Sequence, residues 1–252
     1  MTKEELLNKQ NEIDERIKQI WGENCSLDGI TDIDKYLITE KRILWILKEM
    51  NRNYKKTGTI NQREYLRNEA GYNLRTWNNV LRVTAGTIEF FNSNGSDVSR
   101  LAFNSLPKFE MVSGNKGVRY YNSNNRGEDV FPLDEIAMIN INKGIGGSSS
   151  KNSVIKAYYA KPEIRKLILE QIDYINPSVI IVCNSVEQLL CDLAEQDDIS
   201  KYTAEIDSDN LYYKSGNRLI ISTGHPLIRG QKKGLTSEKY CNDILDLIYD
   251  FA

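Results

Sequence analysis

The chain has 252 residues, of which 40% are apolar and 27% charged, a balance typical of one soluble globular domain with a sizeable core. Its apolar runs are far shorter than the roughly 20 residues that cross a bilayer. Its charged N-terminus has no signal-peptide core. We therefore expect a cytoplasmic protein with no membrane partner. The net charge of −2 gives no general sign of a nucleic-acid partner.

Two short basic segments, at 51–56 and 229–234, depart from this acidic balance. Both are rich in glycine or asparagine, which favours loops. A local basic patch on an acidic protein can guide a polyanion, although scattered solvated lysines would give the same pattern.

The four cysteines, at Cys25, Cys183, Cys191 and Cys241, form no C-x-x-C pair. Zinc and iron–sulfur sites therefore have no support, and buried free thiols are the interpretation. We expect no metal and no organic cofactor.

Apolar spacing in the first half of the chain predicts a helix at 3–20, a buried strand at 42–47 and a helix at 76–91. Residues from about 1 to 40 are interpreted as a helical extension. Residues from about 92 to 134 are rich in Asn, Ser and Gly, and are interpreted as an irregular insertion.

The second half predicts strands at 135–141, 178–183 and 217–224, with an edge strand at "NLYYK". Helices are expected at 161–175, at 185–196 after the third strand, and at 236–251. Alternating strands and helices imply parallel β-α-β units. The fold class is therefore α/β: a three-layer α/β/α sandwich with a central, mostly parallel four-stranded sheet, in one domain spanning 1–252.

In such a sheet, ligands bind at the carboxyl ends of the strands. That rule selects four segments: "LKEMN", "NINKGIGGSSS", "CNS" and "TGHPLIRG". The glycine–serine segment does not have the spacing of the nucleotide-binding glycine motifs. It could offer backbone N–H groups to a phosphate, or it could be a plain loop whose serine caps the next helix.

Four side chains at these strand ends are candidates for chemistry. His225 is the only histidine and stands between Gly224 and Pro226. Glu49 could hold a water for attack, or could pair with a surface cation. Asn140 and Asn142 end the second strand, where an amide could read a base edge or cap the chain.

This constellation resembles the uracil-DNA glycosylase superfamily over about residues 40 to 250. "LKEMN" resembles the first motif of that family, which bears a water-positioning Asp, Asn or Glu, in the version that reads Gly-Glu-x-Pro-Gly. "MININKGIGGSSS" resembles its Asn-x-x-Lys strand end, which aligns Asn140 and Lys143. "GHPLIRG" is similar to its His-Pro motif. Lys48 replaces a glycine of the family, and Leu227 replaces a serine, so the identity of the base stays open.

The resemblance implies a uracil-DNA glycosylase-like fold and a monofunctional DNA N-glycosylase that flips out uracil or a modified pyrimidine and leaves an abasic site. His225 would stabilise negative charge on the leaving base, and Glu49 would position the water. Asn140 would discriminate the base, with Tyr54 or Trp77 stacking on it. The DNA contacts would come from a further set: Lys143, Gly146, Gly147, Ser148, Leu227, Arg229, Lys232 and Lys233.

The partner would be double- or single-stranded DNA, bound by a monomer, in base-excision DNA repair. One alternative is a glycosylase that acts on hypermodified viral bases in antiphage (antiviral) defence. Another is a non-catalytic nucleic-acid-binding protein of the same fold, and a third is a hydrolase of free nucleotides or nucleosides.

We predict that Lys232→Ala combined with Lys233→Ala weakens binding to all DNA sequences about equally, because phosphate contacts carry no sequence information. Removal of each lysine–phosphate interaction should reduce the slope of log affinity against log salt by about 0.9. The control is the pair Lys3→Ala and Lys9→Ala, which should change little. Equal weakening by both pairs would contradict the proposed DNA face.

Overall fold

The computed structural model describes residues 1–51, 58–68, 74–91, 102–107, 121–123, 127–146, 151–183, 186–197, 205–207, 210–215, 217–228 and 235–251. The helices within these ranges are α1 (Lys3–Trp21), α2 (Ile33–Ile38), α3 (Gln62–Asn68), α4 (Leu74–Phe91), α5 (Asn152–Tyr159), α6 (Pro162–Ile175), α7 (Glu187–Gln196) and α8 (Ser237–Tyr249). The strands are β1 (Ser26–Leu27), β2 (Gly29–Ile30), β3 (Ile43–Asn51), β4 (Ile60–Asn61), β5 (Tyr121–Ser123), β6 (Glu128–Val130), β7 (Ile136–Gly146), β8 (Val179–Cys183), β9 (Glu205–Asp207), β10 (Asn210–Ser215) and β11 (Arg218–Thr223).

The described residues form one main sheet of seven strands in the order β2-β7-β3-β8-β11-β10-β9. Its centre, β7-β3-β8-β11, is parallel and consists of the four strands predicted from sequence. The expected total of four is too small, because antiparallel strands extend the sheet at both sides. The segment "NLYYK" lies in β10, one strand in from the edge.

Helices cover both faces of the sheet and enclose two apolar cores, which gives three layers. In β3, Leu44 and Ile46 face the core that is shared with α1, α6 and α7. Ile43, Trp45 and Leu47 face the core that is shared with α4 and α8. The central strands therefore read as continuous apolar runs, since neither face meets water.

The boundaries of α6 follow from its sequence. Pro162 occupies the first turn, where its missing N–H costs nothing. Asn176 ends the helix in the left-handed conformation, with φ at 46°, and Pro177 cannot continue it. This helix carries the chain from the end of β7 across to β8.

The N-terminal region is more than a helical extension. Residues 26–30 supply β1 and β2, and β2 pairs antiparallel with β7 at one edge of the main sheet. In the predicted insertion, the described residues include an antiparallel pairing of β5 with β6 and a short 3-10 helix, Pro132–Glu135. Leu106 and Leu133 from that region are buried in the core beside α4.

A buried carboxylate, Asp28, continues the edge pairing just before β2 begins. Asp28 is 1% exposed, and its Oδ2 accepts the backbone N–H of Asn140 at 2.7 Å. Its Oδ1 accepts from Lys143 Nζ at 2.7 Å and from Gln171 Nε2 at 2.9 Å. Lys143 Nζ also donates to Gln171 Oε1 at 2.8 Å. One side chain therefore joins the edge of the sheet to β7 and to α6.

We predict that Lys143→Met lowers the free energy of unfolding by about 3 to 5 kcal/mol, because it leaves the Asp28 carboxylate buried without its cation. Adding Asp28→Asn should recover much of that loss, since asparagine keeps an acceptor for the Asn140 N–H without a buried charge. Urea unfolding measures both effects.

The matched control is Lys9→Met, since Lys9 lies on the surface and pairs with Glu12 in solvent. It should have little effect. A Lys143→Met protein as stable as the unchanged chain would contradict the importance of the buried pair.

Candidate functional site

The topology selects one edge of the sheet as the ligand-binding edge. From β3 the chain proceeds to β7 on one side and then crosses to β8 on the other side. In open parallel sheets, ligands bind in the crevice at such a reversal, outside the carboxyl ends of the strands. Lys48 and Glu49 lie near this end of β3, and His225 follows β11.

His225 begins a tight turn that reverses the chain after β11. The backbone N–H of Ile228 donates to His225 O at 2.9 Å, and Pro226 occupies the second position, which its fixed φ favours. Ile228 has φ at 61°. This conformation is rare for a β-branched residue and costs on the order of 1–3 kcal/mol. Strain of this kind is concentrated at functional sites in proteins.

Two helices hold this turn in place. Asn79 on α4 is 1% exposed, and its Nδ2 donates to Pro226 O at 2.6 Å. The Tyr240 hydroxyl on α8 donates to Gly224 O at 3.2 Å. Side chains from two different helices therefore fix the backbone on both sides of His225.

The hydrogen bonds of the turn assign the tautomer of the imidazole. The backbone N–H of Leu227 donates to His225 Nδ1 at 3.1 Å, so Nδ1 is an acceptor and the proton of the neutral ring is on Nε2. Burial lowers the pKa of His225 below its ordinary value of 6.5, and the positive charge of Lys48 lowers it further. The arrangement therefore favours a neutral imidazole that can donate from Nε2.

Glu49 lies within β3, opposite Asn142 of β7 in the register of the two strands. Its Oε2 accepts from Asn142 Nδ2 at 2.9 Å. The prediction that Glu49 follows the strand is therefore wrong, since the strand predicted to end at residue 47 continues to Asn51. A half-buried carboxylate held by an uncharged donor can position a water or stabilise a cation.

Lys48 is half-buried beside Glu49. Burial lowers the pKa of its ammonium, while the Glu49 carboxylate acts in the opposite direction. Only β8 separates β3 from β11, a distance of two strand spacings, or about 10 Å. The charge of Lys48 therefore acts on both candidate catalytic groups, a role that sequence analysis did not assign.

Two predicted contact residues lie inside the protein instead. Asn140 is in the middle of β7 and fully buried, and its Nδ2 donates to Asp28 and to Gln62. Its predicted contact with a base is not supported by this position. Lys143 is also fully buried, with its ammonium on Asp28, and burial lowers its pKa. The predicted DNA contact of Lys143 is corrected, because the charge is enclosed by the protein.

The remaining predicted residues are distributed as follows. Trp77 is 6% exposed and packs in the core beside α8, which leaves little of its ring for stacking on a base. Leu227 is half-buried in the His225 turn, and Gly146 is the last residue of β7. The others lie outside the described residues: Tyr54, Gly147, Ser148, Arg229, Lys232 and Lys233.

The partners that hold the candidate site are not predicted from the sequence. Asn142 is predicted to read a base or to cap the chain, and in the structure its amide donates to Glu49. Its spacing of two residues from Asn140 does place both on one face of β7. No signal marked Asn79, because a buried polar residue in an apolar helix shows its purpose only through its partner.

Comparisons with known proteins assign the chain to no family. A scan against protein-family models gives no match, and no curated protein matches the chain. The described ranges contain no group of three His, Cys, Asp or Glu side chains that could hold a metal ion. No helix among them is both long and apolar enough to span a membrane.

We predict that Lys48→Met raises the pKa of His225 toward 6.5, because one of its two causes of depression is removed. The lone histidine makes its NMR titration unambiguous. Linkage gives a second readout. The pKa is lower in the folded protein, so the free energy of unfolding should fall as the pH drops below about 6.5. This fall should be smaller in the variant.

The control is Lys41→Met, which removes a lysine just before the amino end of β3, where it lies over the Phe91 ring. It should leave the titration of His225 unchanged. The electrostatic role of Lys48 is refuted if both variants move the midpoint equally.

Proposed function

We propose that the protein is a monofunctional DNA N-glycosylase that excises uracil or a modified pyrimidine from DNA. The observation that supports it most is the state of His225. Its imidazole accepts the Leu227 N–H at Nδ1, has a pKa lowered by burial and by Lys48, and lies at the carboxyl edge of the sheet, where a ligand is expected. The carboxylate of Glu49, which accepts a hydrogen bond from Asn142, lies at the same edge.

The role of His225 follows from where charge develops. When the bond between sugar and base breaks, the electron pair moves onto the base and increases the negative charge on its carbonyl oxygens. A donor fixed in advance stabilises that charge more than it stabilises the bound substrate. His225 Nε2–H would donate to such an oxygen, and its ring is fixed by the Leu227 N–H. The reaction needs no proton transfer from the imidazole.

The role of Glu49 follows from the charge left on the sugar. Glycosidic cleavage passes through a transition state that resembles an oxocarbenium ion. The carboxylate would stabilise this cation and orient the water that attacks the sugar carbon. One C–O bond forms as the C–N bond to the base breaks, and the proton of the water passes to the carboxylate. The Asn142 amide holds that carboxylate in place.

Access to the bond requires the nucleotide to leave the helical stack. The half-buried Leu227 lies in the strained turn and would fill the gap in the duplex. Ile228 packs against the core, which anchors the turn and leaves Leu227 as the wedge. Phosphate contacts by Arg229, Lys232 and Lys233 stay predictions from the sequence.

The test is a screen for free bases released from duplex and single-stranded DNA that contains uracil or enlarged, modified pyrimidines. Release of uracil would support a role in repair. Release of a hypermodified base alone would support antiviral defence. DNA binding without release would identify a non-catalytic binder, and cleavage of free nucleosides without DNA binding would identify a nucleoside hydrolase.

We predict that Glu49→Gln lowers the rate of base release about a hundredfold, because glutamine keeps the size of the side chain but not its charge. Loss of one such electrostatic contact is worth on the order of 3 kcal/mol in the transition state. DNA affinity should stay nearly unchanged. Single-turnover kinetics and a binding titration measure the two quantities.

The matched control is Glu12→Gln, since Glu12 is an exposed carboxylate on α1. It should leave the rate intact. Turnover that survives in the Glu49→Gln protein would remove Glu49 from the mechanism.

A further inference from the structure

We propose that Trp21, the last residue of α1, is a positioning residue for the candidate active site. By donating to the oxygen of the Asn142 amide, Trp21 fixes the orientation of that amide so that its NH2 group faces Glu49. This inference rests on the proposed function for its catalytic consequence. Its structural part stands on contacts alone.

The contacts of Asn142 use both ends of its amide. Its Oδ1 accepts from Trp21 Nε1 at 3.0 Å and from the backbone N–H of Gly144 at 3.0 Å. Its Nδ2 donates to Glu49 Oε2 at 2.9 Å. The side chain is in the interior, because Asn142 is only 6% exposed.

These partners determine which way the amide points. The oxygen and nitrogen of an asparagine have almost the same shape, so the orientation is decided by the surrounding donors and acceptors. Trp21 Nε1 and a backbone nitrogen can only donate. A flipped amide would set two donors against the NH2 group and would place an oxygen against the Glu49 carboxylate. The flipped form therefore loses three hydrogen bonds.

Gly144 provides the room for this arrangement. A Cβ at position 144 would lie 3.2 Å from Asn142 Oδ1 and 3.3 Å from Trp21 Cδ1, closer than side chains normally pack. The glycine thus lets the strand backbone approach the amide and the indole together. One glycine of the segment "NKGIGG" is explained by this contact.

The position of Trp21 is fixed by the rest of α1. Gly22 caps the helix with a φ of 71° that suits glycine, and its N–H donates to Lys18 O at 2.7 Å. Earlier in the helix, the buried Gln10 accepts the N–H of Ile30 at 2.9 Å, which links α1 to β2. The N-terminal helix is therefore a structural part of the site that holds Glu49.

The experiment compares Trp21→Phe with Trp45→Phe. Both replace a tryptophan by phenylalanine, but Trp45 Nε1 is buried without a hydrogen-bond partner among the described residues. Trp21→Phe should slow single-turnover base release about fivefold, roughly the worth of one hydrogen bond, with DNA affinity unchanged. Trp45→Phe should lower stability and leave the rate unchanged.

A second readout does not depend on activity. In 15N-labelled protein, the side-chain NH2 signals of Asn142 should shift in Trp21→Phe and stay in place in Trp45→Phe. Gly144→Ala tests the same contacts without removing the indole, and should also move those signals and slow base release. This variant serves if Trp21→Phe does not fold.

The results separate the two ideas. Unmoved Asn142 signals, or an unchanged rate in an active enzyme, would overturn the role of Trp21. Shifted signals in a protein that releases no base from any DNA would uphold the contacts of Trp21 and refute the glycosylase. Loss of rate in Trp45→Phe equal to that in Trp21→Phe would assign the effect to general destabilisation.

Discussion

The Asp28 carboxylate sets the geometry on which the candidate site depends. Two donors from Asn140 and the ammonium of Lys143 converge on it, and all three belong to β7. A shift of β7 by one residue would turn every side chain to the opposite face and separate Asp28 from these donors. The register of β7 in turn places Asn142 beside Glu49. Since burial of two charges offsets much of their attraction, we interpret this ion pair as a contact that specifies register more than it adds net stability.

The site also combines features that disfavour stability with helices that offset them. A left-handed isoleucine, a half-buried lysine and a half-buried histidine whose pKa is lowered by burial and by Lys48 lie at one edge of the sheet. Asn79 and Tyr240 hold the turn from two helices. Because the central strands are buried on both faces, this edge can carry strained and desolvated groups without loss of the fold.

Two polar residues that suggested chemistry, Asn140 and Lys143, make buried contacts within the protein. From the sequence, Asn140 and Lys143 are predicted to lie at the end of a strand. Asparagine and lysine there are residue types that contact bases and phosphates. In the structure, β7 extends to Gly146, which puts both residues inside the molecule. The residue of this strand that contacts Glu49 is Asn142, two positions beyond Asn140. A difference of two residues along a strand keeps the face but moves the side chain toward the ligand edge.

The sequence by itself determined the four parallel strands, the helices between them and the edge of the sheet at which both His225 and Glu49 lie. It could do so because apolar periodicity and the placement of Gly and Pro are local signals. Only the tertiary structure decided that β2 extends the sheet beside β7, that Lys143 is enclosed, that Asn142 holds Glu49 and that Trp21 holds Asn142. These facts depend on register and on partners far apart in the chain. The residue type determines whether a side chain can donate or accept a hydrogen bond, but only the packing of distant segments determines its partner.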